Sequence, residues 1–128
     1  MTAVLESIYR GITYRGNEGH WAWILHRVSG LGIALFLSLH IVSIFLVGIG
    51  PKAYGWVHAT LYVSPPAKIL EVFLIFGVLY HAANGMRIII IDFFPALGKY
   101  QRLIVRIELV IVILVFIPAA IITLASLF

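Results

Sequence analysis

The stretch "VLYHAANGMRIIIIDFF", residues 78–94, decides the reading of this chain. It is apolar enough to lie in a bilayer, yet it carries His81, Asn84, Arg87 and Asp92. An ionisable side chain at the centre of a membrane helix costs roughly 2.5–3.5 kcal/mol on insertion scales, so such residues mark function or partnership. Around this stretch the whole chain has the same character. Of its 128 residues, 62% are hydrophobic and only 11% are charged. A water-soluble domain of this length needs far more polar surface, so the class is an all-α integral membrane protein, one domain over residues 1–128. The sequence contains no cysteine, which excludes disulfides, thiolate metal sites and iron–sulfur ligation by this chain. A redox centre would have to use His or Met, or belong to a partner. No basic stripe on a soluble face supports nucleic-acid binding.

Three spans follow from hydropathy. The first covers about residues 22–50, and its core "VSGLGIALFLSLHIVSIFLVGI" (28–49) has His40 as its one titratable side chain. Its 22 residues match the roughly 30 Å hydrocarbon layer. "GPKAYG" (50–55) then breaks the helix and "SPPAK" (64–68) closes the loop. The second span covers about 67–94, "PALGKYQR" (95–102) is the next turn, and the third span covers about 103–128, with a kink expected at Pro118. The N-terminus has no apolar core followed by a small-residue cleavage site and does not read as a signal peptide. Arg10, Arg15, Arg27, Arg87, Lys99, Arg102 and Arg106 fall on one side, and Lys52 and Lys68 on the other. By the positive-inside rule the N-terminus is expected inside and the C-terminus outside. Three helices with buried polar groups close poorly on themselves, so a partner chain is expected.

His81 is the first site candidate. Residues four apart share a helix face, and Gly77 and Gly85 stand four before and four after it. That clears bulk above and below the imidazole, as a flat macrocycle with His-bound iron requires. The plainer alternative is an interhelical hydrogen bond, with the glycines serving close helix packing. Spacing leaves both readings open. Arg87 lies further toward the inside, where it would either meet a propionate or snorkel to the interface. In "WAWILHRVSGLG" (21–32), Trp21 and Trp23 suit an interfacial belt, while His26, Arg27 and Ser29 form a donor cluster. Such a cluster suits a quinone headgroup, with Arg27 stabilising negative charge and His26 relaying a proton; ordinary headgroup contacts are the alternative. His40 lies 14 residues beyond His26, about 21 Å deeper. It is either a second haem ligand or an interhelical hydrogen-bonding residue. His20 and His58 fall outside the spans and read as interface or solvent residues.

"HRVSG" (26–30) followed by "YHAANGMRIIIID" (80–92), behind the start "TYRGNEGHWAWILHR" (13–27), resembles the cytochrome b membrane-anchor subunit of succinate dehydrogenase, respiratory complex II. The resemblance covers nearly the whole chain. It implies a flavoprotein subunit with FAD that oxidises succinate, an iron–sulfur subunit with its clusters, and a second membrane-anchor subunit. It also implies haem b, with His81 as iron ligand and the second axial ligand on the partner anchor. Arg27 and His26, with Ser29 and Trp23 nearby, match positions around the quinone and the haem propionates. Menaquinone is the quinone expected. Asp92 would lie where the soluble subunits dock. Where several relatives have Ser four residues before the motif Arg, this chain has Trp23, and where some have His after the second motif's Arg it has Ile88. His40 stands at the depth of the outer haem ligand in two-haem forms. The implied location is the cell inner (cytoplasmic) membrane, as a multi-pass chain, and a trimer of heterotetramers is compatible with it.

The competing readings are the same anchor in a quinol:fumarate reductase, a haem-free structural anchor, and a small transporter. The transporter would spread polar residues along all three spans, and the third span counts as apolar apart from Thr123 and Ser126. The chain is not expected to be catalytic by itself.

Overall fold

The computed structural model describes residues 18–126 together with Leu5, Glu6 and Tyr9. Arg10 and Arg15 of the charge count, and the last two residues of the third span, lie outside the described residues. Every element is helical: α1 (Glu18–Ile49), α2 (Pro51–Leu61), α3 (Pro65–Phe93), a 3-10 turn (Pro95–Tyr100) and α4 (Gln101–Ala125). Helices α1, α3 and α4, the last with the turn before it, are each long and apolar enough to cross a membrane. Helix α1 has 32 residues, about 48 Å of helix against roughly 30 Å of hydrocarbon. It therefore tilts or projects beyond the apolar layer.

Proline and glycine set the boundaries. Gly50 ends α1 at φ 150°, a backbone region that L-residues rarely adopt. Pro51 then starts α2 at a position where the missing N–H costs nothing. Pro65 and Pro66 open α3 in the same way after Ser64, and Phe94 ends it ahead of Pro95. Helix α4 continues through Pro118, whose missing N–H leaves the Leu114 carbonyl without its usual partner four residues on. The sequence reading put residues 50–66 in a breaking loop. The structure corrects this: α2 is an eleven-residue helix packed on α1. Gly50 and Pro51 mark its start, and Gly55 lies within it.

Helix α3 is the central element, packed on α1 at one side and on α4 at the other, with a smaller contact between α1 and α4. It has the lowest mean hydropathy of the three spans, 1.6 against 2.4 and 2.9. The least apolar helix sits where neighbours can satisfy its polar groups, as a lipid solvent demands. Its buried residues, Tyr80, Asn84 and Arg87, recur at spacings of four and three along one side. Helix α4 answers with Val105, Glu108 and Val112 at the same spacing. Outside these seams the helices present large apolar side chains outward, among them Leu31, Phe45, Phe73, Leu114 and Ile122, which suits lipid or a partner chain.

Candidate functional site

The seam between α1 and α3 brings both sequence motifs together. The imidazoles of His26 and His81 stack with centroids 3.9 Å apart and planes 9° from parallel. His81 Nδ1 lies 3.0 Å from the His26 carbonyl oxygen and 3.3 Å from Ser29 Oγ. The Ser29 hydroxyl in turn donates to the His26 carbonyl at 3.0 Å. A carbonyl only accepts, so Nδ1 of His81 carries the proton and donates. No hydrogen bond reaches His81 Nε2 among the described residues, and the ring is half-buried. His26 Nδ1 is buried without a hydrogen-bond partner among the described residues.

The glycines have partners that the sequence did not reveal. A methyl group at Gly85 would sit 3.5 Å from His26 Cε1, and one at Gly77 would sit 3.8 Å from Ser29 Cβ. Both residues therefore face α1 and permit close packing. Within this chain they meet α1 at ordinary van der Waals distance, as the close-packing alternative expects. The glycine that makes room for His81 is Gly30, on the other helix: a methyl there would sit 2.8 Å from His81 Cε1.

One turn toward the chain's N-terminal end of the bundle, the polar network continues. The Ala22 carbonyl accepts from Tyr80 Oη at 3.0 Å and from Asn84 Nδ2 at 3.2 Å. Asn84 is fully buried, and its Oδ1 accepts from Arg87 Nε at 2.8 Å. The same Nε lies 3.2 Å from Glu108 Oε2, and both side chains are only 6% exposed. Arg87 is thus buried rather than snorkelling, and the acceptors it meets within this chain belong to α3 and α4. Neither carboxylate oxygen of Glu108 has a hydrogen bond of good geometry among the described residues, so the pairing is ionic. Glu108 is the residue that sequence reasoning missed. The count of polar residues in the third span overlooked it, although a lone carboxylate among Ile, Leu and Val opposite a membrane-embedded arginine is itself a pairing signal.

Arg27 points away from this seam. It is exposed, and its guanidinium carbon lies 4.4 Å from the Trp23 ring centroid, a cation–π contact. Trp21 and Trp23 are exposed as expected of a belt, and Asp92 is exposed near the end of α3. Glu18 and Arg106 pair at 2.7 Å across α1 and α4 at the same end.

His40 stands apart, toward the opposite end. Its Nδ1 is 3.4 Å from Tyr62 Oη and Phe36 stacks on the ring at 5.6 Å. Helix α2 and the residue after it bring Tyr54, His58 and Tyr62 beside His40 and Ser43, around a cavity of about 220 Å³. His58, read from sequence as lying outside the spans, thus lines the same cavity as His40. Among the described residues, no group of three or more His, Cys, Asp or Glu side chains is placed to hold a bare metal ion.

Residues 10–123 match the family described as succinate dehydrogenase/fumarate reductase transmembrane subunit. The chain is 38% identical over 109 residues to the succinate dehydrogenase 2 membrane subunit SdhC of Mycobacterium tuberculosis, covering 85% of this chain and 79% of that one. It is 28% identical over 76 residues to the succinate dehydrogenase hydrophobic membrane anchor subunit of Halobacterium salinarum, covering 59% and 58%. With three apolar spans, this similarity fits a multi-pass chain of the inner membrane. The chain belongs to the succinate dehydrogenase/fumarate reductase transmembrane-subunit family, as a non-catalytic membrane anchor subunit of succinate dehydrogenase.

Proposed function

We propose that this chain is the haem b-binding, quinone-facing anchor of a succinate:quinone oxidoreductase, with His81 as one axial ligand of the haem iron. The observation that carries the reading is the His81 ring. Its Nδ1–H is held by a backbone carbonyl while Nε2 has no hydrogen-bond partner among the described residues. A ring whose second nitrogen is anchored this way, and whose other nitrogen is a free lone pair, suits metal ligation. The second membrane-anchor subunit would supply the other iron ligand, as the family resemblance implies. Bound there, haem b supplies a one-electron site between the iron–sulfur subunit and quinone.

Arg27 is the charged donor for the quinone headgroup, menaquinone in our reading, and also neutralises a propionate. Trp23 holds its guanidinium over an aromatic face; the His26 and Ser29 side chains, expected from the sequence to join it, lie instead against His81 in the seam between α1 and α3. A fixed guanidinium stabilises the negative charge that a quinone oxygen gains on reduction. The N-terminus lies inside, the FAD and iron–sulfur subunits dock at the end that carries Asp92, and heterotetramers associate as trimers. The alternative is the same anchor in a quinol:fumarate reductase, because direction is set by the quinone potential and the catalytic subunits.

A second haem on His40 is the alternative stoichiometry, expected from the depth of that residue in the first span. A reduced-minus-oxidised spectrum with pyridine haemochrome quantitation, set against flavin, tests the reading. About one haem per flavin is the result expected for His81 alone. About two adds His40, and none leaves only a haem-free structural anchor.

A further inference from the structure

We infer that the segment His26–Gly30 is the cradle that fixes the His81 imidazole, with Ser29 and Gly30 as positioning residues acting on the iron through that ring. This rests on the reading of His81 as axial ligand. It gives "HRVSG" a role distinct from gripping quinone.

Four contacts from one turn of α1 converge on a single ring. The His26 carbonyl and Ser29 Oγ both accept from Nδ1, at 3.0 and 3.3 Å. Ser29 cannot donate to that nitrogen, because its own proton goes to the same carbonyl at 3.0 Å. The His26 ring lies flat on one face of His81 at 3.9 Å, which limits rotation about the side-chain torsions. Gly30 supplies the space: an added methyl would come within 2.8 Å of Cε1 and 3.2 Å of Nδ1. The contact with Cε1 is too short for a methyl, so the imidazole itself would have to move.

Two consequences follow for bound iron. The tautomer is set with the proton on Nδ1, so Nε2 offers its lone pair. Hydrogen bonding to Nδ1–H pushes electron density toward Nε2 and makes it a stronger donor. A stronger donor favours the ferric state and lowers the haem potential. Ser29 tunes this strength, and Gly30 sets the ring plane.

The test uses the purified complex carrying Ser29→Ala, Ser29→Thr, Gly30→Ala or His81→Ala, with haem per flavin, haem midpoint potential and low-spin EPR as readouts. Ser29→Ala should keep its haem and titrate at a higher potential. Ser29→Thr, which retains the hydroxyl, should return the potential toward that of the unaltered complex. Gly30→Ala should shift the EPR signal and lower haem content. If the Gly30 variant fails to assemble, the Ser29 pair decides. The inference is overturned if Ser29→Ala leaves potential and EPR unchanged while raising KM for quinone, since the motif would then serve quinone. If His81→Ala retains full haem, the ligand assignment itself fails. Loss of haem in His81→Ala, with every Ser29 and Gly30 variant at the original potential and EPR signal, overturns the cradle alone.

Discussion

Arg87 Nε lies 3.2 Å from Glu108 Oε2, and both side chains are nine-tenths buried between α3 and α4. The pair bridges the central helix to the third span, and Asn84 extends it to the Ala22 carbonyl of α1. All three spans therefore meet in one polar network. Breaking a buried ion pair from one side leaves an uncompensated charge and costs about 3–5 kcal/mol. Glu108→Ala and Arg87→Ala should each lower the thermal stability and membrane accumulation of the complex. The double variant should lose less than the sum of the two. Additive losses in a double-mutant cycle would mean that the pair is not coupled.

Tyr80 Oη donates to the Ala22 carbonyl at 3.0 Å from a ring that is 2% exposed. Tyr80→Phe keeps the ring's packing and removes one neutral hydrogen bond. The expected loss is about 0.5–1.5 kcal/mol, visible as a small drop in the unfolding midpoint. The haem spectrum should not change, because Tyr80 and His81 use different acceptors on α1.

The spans were legible because hydropathy is a local property, and a run of about twenty apolar residues has few alternatives. Helix α2 was not, since the glycine and proline of "GPKAYG" read as helix breakers although residues 51–55 begin that helix. His81 and Arg87 stood out by their cost in lipid. Their partners did not, because His26 and His81 are 55 positions apart and only the packing of α1 on α3 joins them. The same separation hid what the glycines face. Periodicity places Gly77, His81 and Gly85 on a common helix face, but the neighbour that fills that face is another helix.

Arg27 is exposed and braced on Trp23, so its loss should affect the quinone step. A hydrogen bond to a charged group contributes about 1.5–3 kcal/mol. Arg27→Ala should therefore slow quinone reduction by about tenfold or more, while soluble dyes still take electrons from succinate at the ordinary rate. Equal slowing with dye and quinone would point to a defect in assembly.

The sequence has no cysteine, which makes the chain suitable for topology mapping. With the N-terminus inside, Lys52→Cys should react with an impermeant maleimide added outside intact cells. Lys99→Cys should react only after the membrane is opened. The reverse pattern would invert the orientation assigned from charge.

Haem ligation by His81 is the central claim, and the most direct test is the haem-to-flavin ratio of purified His81→Ala complex. Assembled complex with its flavin retained and the b-haem absorption reduced to background is the predicted result. Haem at the unaltered ratio in that complex would contradict it.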